Sequence, residues 1–507
     1  MTGGAGARYP TVVHMLDAAA KESADRIALR CEQAEVTYAQ YIRRVAGFSE
    51  YLRDRNVAGS RVALIMANGI DICVATFAIQ SAGAQVAALN PAYTAYELEF
   101  LLVDCAPAAI VCDDAAATKV IPLASKLGLS TPMVVGAGFE LARWNDSTAP
   151  LGLPDPASLS TLQYTGGTTG RPKGINLQHF AVSTNVAQRE ALLPTQPDER
   201  ILAVTPLYHS YALAMGLYLG AWCRGTLTVM KRYLPEVTLD IIERERITLF
   251  AGSATLFNGL MQHENFGTTD FSSLRLCFSG AAALPVETLN RWQHATGSPI
   301  CEGYGQSEAG PILTFNPWHS LRKPGSVGIP LPGTIVEIVD IETGLIQMPQ
   351  GEAGEIRARG PQIMQGYRDR PDETRAVLRD GYLYTGDIGK LDDDGYLHIL
   401  DRKKDMVVVA GFNVYPREIE EILCAHPAIV ESAVVGVPDA YRGEALKAFI
   451  VLRSSVNVSP DDIQKYLAER LTRYKIPNDM QVCATLPKTP IGKIDKLQLR
   501  THGNLAP

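Results

Sequence analysis

Twice along this chain, short apolar runs alternate with helix-length stretches, and no other feature restricts the fold so tightly. In the first passage Arg61-Val62-Ala63-Leu64-Ile65-Met66 reads as a strand, Asp71 to Ala82 as a helix and Gln85 to Leu89 as the next strand. The pattern continues through Ala109-Ile110-Val111-Cys112 and Pro132 to Val135. The second passage runs from Ile201 through Leu249 to Gly252 and Leu274 to Gly280. Runs of this kind, apolar throughout, suit strands buried on both faces, so parallel sheets covered by helices are expected.

After Gly325 the texture changes to short strands divided by Gly and Pro, as in Ile335 to Val339 and Gly354 to Ala358, which predicts a small β-subdomain. A second change falls at Asp401-Arg402-Lys403-Lys404-Asp405. Beyond it, helix Pro416 to Cys424, strands Ser432 to Val437 and Ala448 to Leu452, and helix Ser459 to Leu471 form an α+β unit. The expected fold class is therefore α/β. A large N-terminal domain over residues 1–402 has two parallel helix-covered sheets and the β-subdomain, and a small mobile α+β domain occupies residues 403–507.

The 507 residues, 46% of them apolar, are enough for a large core and more than one domain. With 47 basic and 54 acidic residues and no dense Lys/Arg block, nucleic-acid binding is not expected. Nine cysteines without a C-x-x-C pair point to a reduced, cytoplasmic protein. His209, His398 and His426 stand far apart and form no zinc-ligand pattern. Residues Met1 to Arg8 lack the features of a signal peptide. The most apolar stretch, Tyr211 to Cys223, is shorter than the roughly 20 residues that span a bilayer and reads as a buried helix.

The segment Tyr164-Thr165-Gly166-Gly167-Thr168-Thr169-Gly170-Arg171-Pro172-Lys173-Gly174 follows a strand, Leu159 to Thr165. Its glycines leave backbone N–H groups free to converge on an anion, its threonines add hydroxyl donors, and Lys173 adds a mobile charge. The loop is not of Walker type, since Gly389-Lys390 and Gly492-Lys493 precede Leu391 and Ile494 instead of Ser or Thr. Nor is it a dinucleotide fingerprint, because Pro172 and Gly174 return the chain to an extended run at Ile175-Asn176-Leu177.

Further segments complete an ordered set: Tyr304-Gly305-Gln306-Ser307-Glu308, Gly354-Glu355, Tyr384-Thr385-Gly386-Asp387, Asp401 to Asp405, and Pro487 to Lys493. Together with the Gly/Thr loop they resemble the adenylate-forming superfamily of acyl-CoA synthetases, luciferases and adenylation domains over nearly the whole chain, and Asp401 to Glu418 resembles bacterial fatty-acid CoA ligases. The resemblance implies that ATP and a carboxylic acid form an acyl-AMP with loss of pyrophosphate, and that coenzyme A then takes the acyl group as a thioester. Joining two anions demands cations and aligned donors at their meeting point.

By that resemblance Thr165, Gly166, Gly167, Thr168, Thr169, Gly170 and Lys173 hold the phosphates, with Ser307 donating to the α-phosphate and Glu308 coordinating Mg²⁺. Tyr304 gives the adenine a flat face and Gly280, Ala281 and Ala282 give it room, Glu302, Gly303 and Gly305 also belong to the ATP site, and Asp387 with Arg402 takes the ribose. Lys493 is the catalytic cation of adenylation, Lys404 the hinge, and Gly411 the residue that a domain rotation brings beside the pantetheine tunnel. His209 is a catalytic gate residue at an apolar acyl pocket of Tyr211, Met215, Phe278, Ala281, Gly303 and Gly305. The phenylalanine at position 278 favours a fatty or simple aromatic acid over a polar-tailed aromatic one. Arg232 and Lys475 align with positions for coenzyme A. Alternative readings are an acyl-AMP ligase or stand-alone adenylation enzyme serving a carrier protein, and a non-catalytic acyl-AMP or ATP sensor. An α-amino acid substrate is disfavoured, because Tyr208-His209-Ser210-Tyr211 contains no Asp. The oligomeric state is left open.

Overall fold

The computed structural model describes residues 9–136, 138–165, 172–280, 282–409, 412–439, 443–453, 458–489 and 493–502. One sheet has seven strands in the order Gly366–Tyr367, Lys173–Gln178, Leu159–Thr165, Gln85–Ala88, Arg61–Ile65, Ala109–Asp113 and Met133–Val135. The last five run parallel, while Lys173–Gln178 pairs antiparallel with both of its neighbours. A nine-stranded sheet holds the second apolar passage, and its central strands from Ile27–Cys31 to Ile300–Tyr304 are parallel.

Two corrections to the expected topology follow. Both large sheets are mixed at an edge, where short connections favour antiparallel returns over helical crossovers, while Gly366–Tyr367 joins the first sheet antiparallel by a long-range pairing. The second sheet also recruits Ile27–Cys31 and Ala34–Thr37 from the start of the chain, a long-range pairing that local periodicity does not encode.

Helix Ile70–Ser81 is buried on every side from Ile72 onward, which accounts for its lack of a polar stripe. Helix Asp114–Lys126 starts where Asp113 accepts a hydrogen bond from the Ala116 amide. The stretch Tyr211 to Cys223 is helical as expected, but it begins at Ser210 and contains a π-helical turn over Leu213–Leu217. Such turns expel one residue from the regular ladder and recur at functional sites.

A five-stranded antiparallel sheet from Ile335–Val339 to Leu397–Arg402 forms the β-subdomain. The final sheet, from Val407–Val409 to Asp479–Val482, is covered by helices Pro416–Cys424 and Pro460–Ala468. The latter helix ends at Ala468, short of Leu471. This last unit carries its own core, including Val407, Val414, Ile419, Leu446 and Ile463. Lys496 and Glu420 form a largely buried ion pair at 2.8 Å within it. No described helix is long and apolar enough to cross a membrane.

Candidate functional site

Thr165 and Lys173 are paired across the antiparallel strands Leu159–Thr165 and Lys173–Gln178. Gly166, Gly167, Thr168, Thr169 and Gly170 lie outside the described residues, as do Ala281 and Gly411. The Lys173 ammonium is ion-paired with Glu373 of helix Pro371–Val377 and sits 5.1 Å from the centre of the Tyr367 ring.

Tyr367 continues the cluster by donating its hydroxyl to Glu308 Oε1 at 3.0 Å. Glu308 stands on the short turn Ser307–Ala309, and its carbonyl accepts from the Met364 amide at 2.8 Å. Burial raises the proton affinity of its carboxyl above the ordinary value, and the Tyr367 hydroxyl pulls it back. Ser307 Oγ lies 3.1 Å from Ser210 Oγ, which ties this turn to the segment carrying His209. Gly305 is packed so closely that a Cβ there would fall 2.0 Å from the Pro311 carbonyl oxygen.

Tyr304, expected as a flat face for adenine, also donates its hydroxyl to Asp387 Oδ2 at 2.6 Å. Asp387 is therefore half engaged by protein, while Arg402 Nε stands 3.8 Å from its other oxygen. Desolvation raises the pKa of Asp387, opposed by Tyr304, Arg402 and Lys493. Glu302 lies on strand Ile300–Tyr304, two residues before Tyr304. It is buried and accepts from the Leu284 amide at 3.1 Å, where it supports the turn after Gly280 and Ala282. Burial pushes its pKa up to about 7.

Lys493 arrives at the same cluster from the far end of the chain. Its backbone N–H donates to Thr489 Oγ1 at 3.2 Å and its carbonyl accepts from the Thr489 amide at 2.7 Å. Burial lowers its ammonium pKa to about 8, aided by Arg402 and resisted by Asp387. The charge is also felt at His209, whose pKa burial and Lys493 together lower to about 4. That imidazole is neutral, and its buried Nε2 has no partner among the described residues. The arrangement thus offers three cations, Lys173, Arg402 and Lys493, with a neutral imidazole and the carboxylates of Glu308 and Asp387, a set matched to anions meeting each other.

The residues expected to line an acyl pocket are closely packed. Met215 and Phe278 are fully buried, and a Cβ at Gly280 would come within 2.7 Å of the Tyr211 ring. Gly303 lies equally close to the Phe315 ring. A cavity of about 10 Å³ bordered by Val182, Ser210, Leu213 and Tyr218 has room for about one water molecule. The guanidinium of Arg189 lies 4.7 Å from the centre of the Phe278 ring.

Neither cation expected for coenzyme A joins the Lys493 cluster. Arg232 is exposed beyond strand Thr226–Val229, and Lys475 is engaged by Glu418 at 2.7 Å. Next to Lys475, Tyr474 stacks on Phe412 at 4.7 Å. Lys404 is exposed at its surface, and desolvation with Arg402 lowers its pKa. Its neighbours are tied down, Lys403 to Glu355 and Asp405 to Arg500, each at 2.8 Å.

Sequence reasoning missed Tyr367, Glu373, Asn68 and Asn185. Asn68 holds the turn before His209 by accepting from the Leu207 amide at 2.8 Å and donating to the Thr205 carbonyl. Asn185 clamps Ile312 by exchanging two hydrogen bonds with its backbone. None belongs to a glycine-rich or charged motif, and each acts on residues that only the fold brings near.

The AMP-binding enzyme family model matches residues 16–368, and the AMP-binding enzyme C-terminal domain matches residues 418–493. The long-chain-fatty-acid–CoA ligase of Bacillus subtilis is 34% identical, covering 96% of this chain and 94% of its own. The feruloyl-CoA synthase of an Amycolatopsis species is also 34% identical, over 95% and 96% of the two chains. Among solved structures, ATP-bound MatB from Rhodopseudomonas palustris superposes with a TM-score of 0.91 at 31% identity, covering 97% and 99% of the chains.

Proposed function

Because the chain belongs to the AMP-binding enzyme family, we infer that it is an AMP-forming acid:CoA ligase acting on a fatty or simple aromatic acid. The acid is activated with ATP to an acyl-AMP and pyrophosphate, and coenzyme A then takes the acyl group as a thioester. The observation that carries the reading is the desolvated ammonium of Lys493, set among Asp387, Arg402 and His209 at a cost that Asp387 offsets only in part and that an anionic ligand would offset further.

In this reading Lys493 offsets the repulsion between the acid's carboxylate and the α-phosphate as they close. Lys173 serves the departing phosphates once a triphosphate competes with Glu373 for it. Ser307 donates to the α-phosphate, Asp387 offers its second oxygen to the ribose, and the neutral His209 borders the acyl group. No group of three or more His, Cys, Asp or Glu side chains is placed to hold a metal among the described residues. Mg²⁺ would therefore be held by Glu308 together with substrate phosphates, where it neutralises phosphate charge.

We assign residues 1–402 to the adenylation domain and 403–507 to a lid that turns about Lys404 between the two half-reactions. The separate core of the last unit supports independent movement. Nine free thiols suit a reducing, cytoplasmic setting. The test is pyrophosphate release with ATP, Mg²⁺ and a panel of fatty acids and benzoates, followed by coenzyme A consumption. Release without thioester would leave an acyl-AMP ligase, and no release with any acid would overturn the enzyme reading.

A further inference from the structure

Helix His179–Leu192 carries an arginine into the interior behind the acyl-side residues. Val182, Val186 and Arg189 are spaced at i, i+4 and i+7 and so share one face of the helix. Val182 borders the small cavity beside Ser210, and Arg189, further along the same face, is 1% exposed with its guanidinium over Phe278.

The hydrogen bonding of this guanidinium is lopsided. Nη1 donates to Glu190 Oε2 at 2.7 Å, whereas Nε and Nη2 are buried with no partner among the described residues. Those two nitrogens form one edge of the guanidinium plane, a rigid fork of two N–H donors. Leaving charged donors buried and unmatched is costly, so the edge calls for an acceptor.

Charge balance selects the kind of acceptor. Glu190 already neutralises Arg189, and the neighbouring Arg275 is paired with Glu199. A second carboxylate at the free edge would add a buried negative charge with no cation left to match it. A carbonyl oxygen would satisfy the fork without adding charge.

We propose that Arg189 is a specificity-determining residue that donates to a carbonyl oxygen borne by the acyl chain away from its carboxyl end, so that oxo acids are preferred. The proposal rests on the ligase reading and narrows its substrate class. Phe278 holds the face of the guanidinium, and the Nε–Nη2 edge meets the substrate.

The test compares kcat/KM for straight-chain oxo acids, with the oxo group moved along the chain, against unsubstituted and dicarboxylic acids of equal length. At least one oxo acid should exceed its unsubstituted counterpart by roughly tenfold or more, the range expected for a hydrogen bond to a charged donor. In Arg189→Met that ratio should fall to about one. Because the ratio is taken within one protein, a general loss of activity cancels. Arg189→Lys, which keeps the charge and loses the fork, should retain only a small part of the preference, and the wild-type comparison stands even if neither variant folds. Turnover of unsubstituted acids with no oxo acid preferred, a preference that survives in Arg189→Met, or a dicarboxylic acid as the best substrate would each overturn this inference alone. Absence of turnover with every acid would overturn the ligase reading along with it.

Discussion

Lys493 should impose an alkaline limit on adenylation that an arginine in its place removes. Its ammonium is buried, and desolvation lowers its pKa from the ordinary lysine value of 10.5 to about 8. Each tenfold loss of proton affinity corresponds to about 1.4 kcal/mol, so holding the charge in the free enzyme costs on the order of 3 kcal/mol. The depressed value means that the folded site releases its proton before the unfolded chain does. Between about pH 8 and 10.5 the unfolded state holds more protons, and the cost of burying the charge is relieved as pH rises through that window. Activity runs in the opposite direction, because the charged form is the one that draws the two anions together. About nine in ten sites are charged at pH 7, half at pH 8 and roughly a tenth at pH 9.

The acid-dependent exchange of pyrophosphate into ATP isolates this half-reaction. Its kcat/KM, which reports the free enzyme, should fall about tenfold for each pH unit above 8. Lys493→Arg keeps a cation that does not titrate in this range and should abolish the alkaline limb, whatever its absolute rate. Lys493→Ala should lose on the order of 10²- to 10³-fold, as expected for removing a group aimed at transition-state charge. Thioester formation from supplied acyl-AMP should change far less in both variants. An unaltered alkaline limb in Lys493→Arg, or equal losses in the two half-reactions, would refute the role given to this charge.

Three further outcomes follow from contacts around the site. Tyr367→Phe removes the hydroxyl that holds Glu308 Oε1 and should raise the Mg²⁺ concentration needed for half-maximal activity several-fold, about 1 kcal/mol; a titration of rate against Mg²⁺ checks it, and an unchanged midpoint would count against Glu308 as the metal-facing group. Glu373→Gln frees Lys173 from its carboxylate partner and should lower KM for ATP a few-fold with little change in stability, since the pair is partly exposed; a higher KM would mean that the pair positions Lys173 for ATP. Lys496→Met leaves Glu420 buried and uncompensated, costing about 3–5 kcal/mol; denaturant unfolding should show the loss confined to the last unit.

Much of the architecture was legible because it is written in local patterns. Apolar runs such as Arg61–Ile65 and Leu159–Thr165 fall where the strands lie, and helix Pro416–Cys424 has the expected limits. The antiparallel edges and the recruitment of Ile27–Cys31 into the distant sheet were not legible, because strand pairing joins residues far apart in sequence. At the site, the motif residues Glu308, Asp387, Arg402 and Lys493 announce an anion-handling enzyme by residue type and order alone.

Which atoms of those residues remain free was decided only by the tertiary structure. Tyr304 occupies one oxygen of Asp387, Tyr367 holds Glu308, Glu373 engages Lys173, and Glu302 turns to the Leu284 amide. The depressed pKa values of Lys493 and His209 likewise arise from burial that the chain acquires only on folding. Arg189 makes the division plainest: in sequence it is one charged residue on a helix, and in the fold it is a buried cation with an open edge beneath Phe278. The physical reason is range. Periodicity and motif chemistry act over a few residues, whereas desolvation and hydrogen-bond occupancy depend on groups a hundred or more positions away, as with Lys493 and His209.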